Sequence, residues 1–132
     1  MTEKQQHLQN VAENLGIGSY QRHIFLCTGP NCCTPEIGMA AWEALKKTLK
    51  DNGLLTGPNA CYRTKVGCLR ICSDGPTMVV YPEGTWYHGM TPERIEQFVQ
   101  QHLIDGKPIE DWVFARNELR QQTADGSQRF SS

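Results

Sequence analysis

The chain has 132 residues, carries a formal net charge of −1 and is 39% hydrophobic. This length suits one domain of ordinary size with short tails. The near-neutral charge and the lack of any run of basic residues argue against a nucleic-acid-binding protein. No apolar stretch approaches the roughly 20 residues that a membrane span requires. The first ten residues are polar and lack the apolar core of a secretory signal, so we expect a soluble, cytoplasmic protein.

The N-terminal segment has the pattern of a short amphipathic helix. Leu8, Val11 and Leu15 recur at helical spacing, and glycines follow immediately after them. We therefore expect residues 1–20 to form an N-terminal arm outside the main domain. Packing or dimerisation is the simplest role for such an arm.

The main domain is predicted over residues 21–115, with the element order β-α-β-β-β-α. Short apolar or alternating runs predict strands, and apolar residues at helical spacing predict helices. The strands are expected at 23–27, 61–66, 77–81 and 85–88, and the helices at 37–51 and 91–102. The polar stretch 116–132, which contains Gly and Ser, is predicted to be a disordered tail.

Six cysteines dominate the chemistry of the sequence. Four of them have spacings that suit metal ligation, Cys27-x4-Cys32 and Cys68-x3-Cys72, in two separate loops. A fold that joins these loops would create a four-thiolate site. Cys33 directly follows Cys32 and competes with it as the second ligand. Cys61 lies in a predicted strand, where we expect a small buried hydrophobic residue.

The spacings favour iron–sulfur chemistry over the other uses of cysteine. Structural zinc sites use knuckles near Cys-x2-Cys, and a dithiol redox enzyme needs Cys-x-x-Cys, but neither pattern occurs here. A Rieske centre requires two histidine ligands, and the four histidines are scattered. Gly29, Gly67 and Gly75 flank the cysteines and allow backbone amides to approach their sulfurs.

Three segments together resemble the thioredoxin-like [2Fe–2S] ferredoxins and the related cluster-binding subunit of respiratory NADH dehydrogenases. They are the CTGPNC run at 27–32, the CLRIC run at 68–72, and the GP dipeptide with the strand pair at 75–87. The resemblance covers about residues 22–114. It implies an α/β, thioredoxin-like fold in which helices flank a central mixed β-sheet and two loops at one end hold the cluster.

The resemblance also implies a site and a function. The matching ligands are Cys27, Cys32, Cys68 and Cys72, with Cys33 as the alternative to Cys32 because many relatives have a longer first spacing. The expected cofactor is one [2Fe–2S] cluster, and the expected role is a single-electron carrier, not an enzyme, that serves redox partner proteins as a homodimer. The alternatives are a cluster-bearing subunit of a larger oxidoreductase complex and a zinc-binding interaction module.

Two finer expectations concern the surroundings of the second cysteine loop. Arg63, Lys65 and Arg70 flank this loop, and cations near the cluster would favour its more negative, reduced form. The resemblance implies a cis peptide bond at Gly75–Pro76, immediately before the third strand.

Overall fold

The computed structural model describes residues 1–122 and 128–130 of the chain. The helices are α1 (Glu3–Asn14), α2 (Pro35–Asp51) and α3 (Pro92–Phe98), the last continued by a π-helical segment, Val99–Ile104. The strands are β1 (Arg22–Cys27), β2 (Cys61–Val66), β3 (Met78–Tyr81), β4 (Thr85–Tyr87), β5 (Val113–Arg116), β6 (Arg120–Gln122) and β7 (Gln128–Phe130). In the described part of the chain, no helix combines the length and apolar character needed to cross a membrane.

The central sheet is mixed, as predicted. Its five strands lie in the order β2-β1-β3-β4-β5, with β1 and β2 parallel and the remaining pairs antiparallel. A parallel pair requires a crossover connection, which α2 provides. The edge strand β5 was not predicted, whereas β2 has the limits that the sequence indicated. β6 and β7 form a separate two-stranded sheet.

One face of the central sheet packs against α2 and α3. Strand side chains alternate between the two faces, so every second residue reaches this helical side. The sheet residues of this core are fully buried and include Ile24, Leu26, Met78, Val80 and Tyr87. The helices contribute Ala41, Trp42, Leu45, Leu49, Ile95 and Phe98 to the same cluster.

The first turn of α2 lies against the loop that precedes it. The hydroxyl of Thr34 accepts a hydrogen bond from the backbone N–H of Ile37 and caps the helix. A Cβ atom at Gly38 would overlap the backbone of Thr28, so only glycine permits this close packing. Ile37 and Ala40 share the helical spacing of the buried residues but are exposed, because this turn covers the loop and not the core.

The other face of the sheet carries a row of aromatic rings. This aromatic face consists of Tyr20, His23, Phe25, Tyr62, Tyr81 and Trp86, all of them half-buried. His23 stacks on Phe25 with ring centroids 4.1 Å apart, and Tyr20 stacks on Tyr62 at 5.1 Å. Because α2 and α3 pack on the opposite face, these rings remain in partial contact with solvent.

A closed polar network lies where β1 begins and β3 turns into β4. The Glu83 carboxylate accepts hydrogen bonds from Arg22 Nε at 2.8 Å and from His102 Nε2 at 2.9 Å. The Tyr87 hydroxyl lies 2.7 Å from His102 Nδ1 and accepts from the backbone N–H of Ile109 at 3.1 Å. Because an ionised carboxylate can only accept, His102 Nε2 donates to Glu83, and Nδ1 pairs with the Tyr87 hydroxyl.

This Glu83 network shifts the pKa values of its acidic members. Burial raises the pKa of Glu83, but the hydrogen bonds from His102 and Arg22 outweigh it and lower the value to about 2. Burial raises the pKa of Tyr87 to about 12. The carboxylate is therefore ionised and the phenol neutral throughout the physiological range.

Helix α1 and the segment after β5 are not part of the five-stranded sheet. Helix α1 forms where it was predicted and has no buried residue. Beyond β5, the backbone N–H groups of Asn117 and Leu119 donate to the carbonyls of Gly84 and Pro82. The boundary at residue 115 and the disorder of the tail stay predictions, and residues 123–127 and 131–132 of that tail lie outside the described residues.

Candidate metal centre

Two of the candidate ligands meet at the end of β1. Cys27 is the last residue of the strand, and the following loop returns Cys32 so that their Sγ atoms lie 2.8 Å apart. Both side chains are buried, with 2% and 6% of their surface exposed. Cys33 is half-buried, and its Sγ lies 3.7 Å from that of Cys32. Within the first cysteine loop, residues 27–33, the Cys32 thiol therefore has the other two thiols as neighbours.

The parallel pairing of β1 with β2 brings the second cysteine loop, residues 67–75, to the same end of the sheet. Cys27 is in register with Val66, so the chain leaves β2 beside the Cys27 thiol. That thiol donates to the carbonyl oxygen of Gly67 at 3.9 Å. Cys68 and Cys72 follow on this loop, and both are exposed.

The two loops also meet where the second one ends. The backbone N–H of Gly75 donates to the carbonyl oxygen of Cys32 at 2.8 Å. A Cβ atom at Gly75 would stand 2.9 Å from the Sγ of Cys32, closer than real Cβ atoms approach their neighbours. The Gly75–Pro76 bond is cis, as predicted. The second loop is thus held against Cys27 at its beginning and against Cys32 at its end.

Backbone amides point at the sulfurs of both loops. The N–H of Arg70 donates to Cys68 Sγ at 3.1 Å, and Arg70 has a positive φ of 69°. Burial raises the pKa of the Cys27 thiol, while hydrogen bonds from the backbone of Gly29 and Leu69 act in the opposite direction. Burial also raises the pKa of Cys33. The glycines beside the cysteines predicted that backbone amides approach the sulfurs. No sequence signal identified Leu69 as one of these donors.

The remaining cysteine and the buried histidine are not part of this arrangement. Cys61 begins β2, at the opposite end of the strand from the second loop, and it is 4% exposed. This burial within the core cluster confirms a small buried hydrophobic residue, and it raises the pKa of the thiol to about 11. His102 belongs to the Glu83 network. Within the described residues, no three His, Cys, Asp or Glu side chains converge closely enough to hold one metal ion.

The flanking cations differ in their relation to the site. The guanidinium of Arg63 lies 5.8 Å from the ring centroid of Trp42, on the helical side of the sheet. Arg70 and Lys65 are exposed. Of the three predicted cations, Arg70 has the most direct connection to the cysteines, because its own backbone contacts Cys68.

The donor set fits a [2Fe–2S] cluster. Such clusters take four thiolates and depend on backbone N–H groups directed at sulfur. Here the cysteines lie on two loops in contact with each other, the N–H of Arg70 donates to Cys68, and the backbones of Gly29 and Leu69 lower the pKa of Cys27 against the effect of burial. Glycine at position 75 permits the close approach of the loops.

No protein-family model matches the chain, but individual proteins do. A 2Fe-2S ferredoxin of Aquifex aeolicus (strain VF5) is 40% identical over 102 residues, which span 74% of this chain and 92% of that protein. A 2Fe-2S ferredoxin of Clostridium pasteurianum is 30% identical over 96 residues, which span 67% of this chain and 91% of the relative.

The solved structures agree with these relatives. The structure of a thioredoxin-like [2Fe–2S] ferredoxin from Aquifex aeolicus superposes with a TM-score of 0.65 and 28% identity, covering 74% of this chain and 93% of the other. The likeness confirms the predicted thioredoxin-like fold. The chain therefore belongs to the thioredoxin-like [2Fe–2S] ferredoxin family.

Proposed function

We propose that the protein is a single-electron carrier that holds one [2Fe–2S] cluster through Cys27, Cys32, Cys68 and Cys72. The observation that carries the proposal is the contact of the two cysteine loops at both ends of the second loop, at Cys27 and at Cys32. When bound, the cluster supplies a reversible one-electron change at iron. The chain itself supplies the thiolates, the amide hydrogen bonds and the shielding from solvent.

Several observations support Cys32 over Cys33 as the second ligand. Cys32 is buried, contacts the Cys27 thiol and accepts the hydrogen bond from Gly75 of the second loop. Cys33 is half-buried and lies beside Cys32 without such a bond to the second loop in the described structure. These differences support Cys32 as the second ligand of the proposed site.

The difference in burial between the ligands indicates the side of the site on which a redox partner would dock. Cys27 and Cys32 are enclosed by the protein, whereas Cys68 and Cys72 are exposed. Electron transfer rates fall steeply with distance, so a partner protein would dock on the exposed loop. Ile37, Met39 and Ile71 lie close in sequence to the cysteines and are 44%, 38% and 36% exposed, which suits an apolar contact with a redox partner.

The proposal includes a homodimer and a cytoplasmic location. The aromatic face is a half-buried apolar surface, and such surfaces commonly serve protein association. A two-fold axis would let this face pack against its own copy. Sedimentation equilibrium should give about twice the chain mass of 14.9 kDa, and a single-chain mass at all concentrations would overturn the dimer. All six cysteines are free, which suits a reducing compartment.

The cofactor is tested on protein purified under anaerobic conditions. We expect iron and acid-labile sulfide in equal amounts, visible charge-transfer absorbance, and a paramagnetic resonance signal that appears on one-electron reduction. Zinc in a colourless protein would contradict the proposal and restore the zinc-binding alternative.

Serine variants test the ligands one at a time. Cys27→Ser, Cys32→Ser, Cys68→Ser and Cys72→Ser should each lose or strongly alter the cluster signal. Cys61→Ser is the matched control, because this buried thiol lies at the other end of β2, and it should keep the cluster. Cys33→Ser should also keep it. Loss of the signal in Cys33→Ser with retention in Cys32→Ser would reverse the assignment.

A further inference from the structure

The side chain of Thr77 is fully buried, and its hydroxyl has no hydrogen-bond partner in the part of the chain that the structure describes. Buried hydroxyls are nearly always paired, so an orphan of this kind requires an explanation. The other buried polar atom without a partner among the described residues is Arg63 Nε, in a guanidinium that lies over the ring of Trp42. The hydroxyl of Thr77 therefore calls for a hydrogen-bond partner outside the described chain, such as a bound ligand.

The sheet register places Thr77 directly opposite Cys27. Leu26 pairs with Met78 across β1 and β3, so the next antiparallel pair is Cys27 with Thr77. The backbone N–H of Cys27 donates to the carbonyl oxygen of Thr77 at 2.8 Å. Residues directly opposite each other in an antiparallel pair project to the same face, with Cβ atoms about 4.5–5.5 Å apart. The hydroxyl thus shares its face with the Cys27 thiol.

The chain around Thr77 is fixed to both enclosed cysteines. Two residues earlier, Gly75 donates to the carbonyl oxygen of Cys32 at 2.8 Å, while Thr77 accepts from Cys27. The Leu26–Met78 pair belongs to the helical core, so Cys27 and Thr77 lie on the other side of the sheet. The orphan hydroxyl is held, with no exposure to solvent, where the two cysteine loops meet.

We propose that the Thr77 hydroxyl donates a hydrogen bond to a sulfur on the Cys27 side of the bound cluster and raises its reduction potential. This inference rests on the proposed function. Reduction by one electron makes the cluster and its thiolates more negative, and a donor to sulfur stabilises the more negative state more strongly. The bond also gives the buried hydroxyl the acceptor that the chain does not provide. Thr77 is a positioning and tuning residue, and the cysteines remain the ligands.

The test is a potentiometric titration of the reconstituted protein, followed by paramagnetic resonance. Thr77→Val keeps the shape of the side chain and removes the donor, so its midpoint should shift to a more negative potential. Thr77→Ser keeps the hydroxyl and should stay close to the parent. Thr64→Val is the matched control, because the Thr64 hydroxyl is already paired with His23 Nε2 at 2.8 Å, and its midpoint should not move.

The outcomes separate this inference from the proposed function. A parent protein that binds no cluster would overturn the function itself. An intact cluster in Thr77→Val with the midpoint of the parent would overturn only the role of Thr77. If Thr77→Val loses the cluster, Thr77→Ala is titrated in its place.

A measurement on the parent protein decides the matter if both variants lose the cluster. In selectively threonine-labelled protein, a slowly exchanging, paramagnetically shifted hydroxyl proton of Thr77 supports the bond. A Thr77 hydroxyl proton in fast exchange with water contradicts it.

Discussion

The two ends of the central sheet differ in whether their buried polar groups find hydrogen-bond partners among the described residues. Where β3 turns into β4, the carboxylate of Glu83, the imidazole of His102 and the hydroxyl of Tyr87 satisfy one another. Where β1 ends, the buried hydroxyl of Thr77 has no partner among the described residues, and the N–H of Arg70 donates to the sulfur of Cys68 on the neighbouring loop. At the first end, groups of the chain satisfy one another's hydrogen bonds. At the second end, the proposed cluster supplies the partner that the described residues lack.

The difference identifies what each group of residues contributes. A buried hydroxyl without a partner costs about 1–3 kcal/mol, so an arrangement that leaves one unpaired stabilises the fold less than its burial suggests. The Glu83 network avoids this cost because every buried member has a partner. The fold therefore gains stability at one end of the sheet and retains binding capacity at the other.

The largest expected effect comes from opening the closed end. Glu83→Gln keeps the shape of the side chain but leaves the guanidinium of Arg22 without its counter-charge, so the free energy of unfolding should fall by about 3 kcal/mol. The matched control, Glu43→Gln, removes an exposed ion pair with Lys46 and should cost less than about 1 kcal/mol. Urea unfolding at neutral pH measures both, and equal losses would remove the distinction between the two pairs.

Acid should reveal the same network in the unaltered protein. The pKa of Glu83 is lowered to about 2 in the folded state, below its usual value of 4.5, so the unfolded chain binds the proton more readily. The stabilisation is present above the unfolded pKa and is lost as the pH falls from about 5 toward 2. Because the side chain is 25% exposed, we expect a loss of about 2 kcal/mol.

The measurement is urea unfolding at a series of pH values. Glu83→Gln should lack this part of the decline, since its side chain cannot titrate. A variant that retains the full acid sensitivity of the parent would assign the decline to other carboxylates.

A smaller effect is expected from crowding the open end. Gly75→Ala would place a Cβ atom 2.7 Å from the carbonyl oxygen of Cys32, which should cost about 1–2 kcal/mol and lower the iron content. Gly67→Ala is the matched control, because a Cβ atom there meets nothing within 4 Å. Thermal unfolding of the iron-free protein and iron analysis of the loaded protein measure the two effects. Equal behaviour of the two variants would contradict a close contact at Gly75.

Much of the fold could be predicted because its signals are local. Alternation defined β2, and apolar residues at helical spacing defined α2 and α3. The edge strand β5 was missed, since four residues beside a short helical turn show too little alternation. The exposure of Ile37 could not be predicted either, because it depends on the loop that the first turn of α2 covers.

Some features of the candidate site could likewise be predicted from local sequence signals, and others could not. The cysteine spacings and their glycines identified the two loops, and the resemblance to a family supplied the fold that joins them. The burial of His102 depends on Glu83, nineteen residues away in the sequence. The position of Thr77 opposite Cys27 depends on the register of β1 with β3. Neither relation has a periodic signal in the sequence, because each arises from the pairing of distant segments.

The register of β1 with β3 determines which side chains face the core and which face the cysteine loops. The pair Leu26–Met78 faces the core, and the next pair, Cys27–Thr77, faces the cysteine loops. Sliding one strand by a single residue would exchange the two faces, burying the hydroxyl among aliphatic side chains and setting a methionine on the face of the loops. An insertion or deletion within β1 or β3 would thus damage core and site together. Core packing and the placement of Thr77 beside Cys27 therefore depend on one and the same strand alignment.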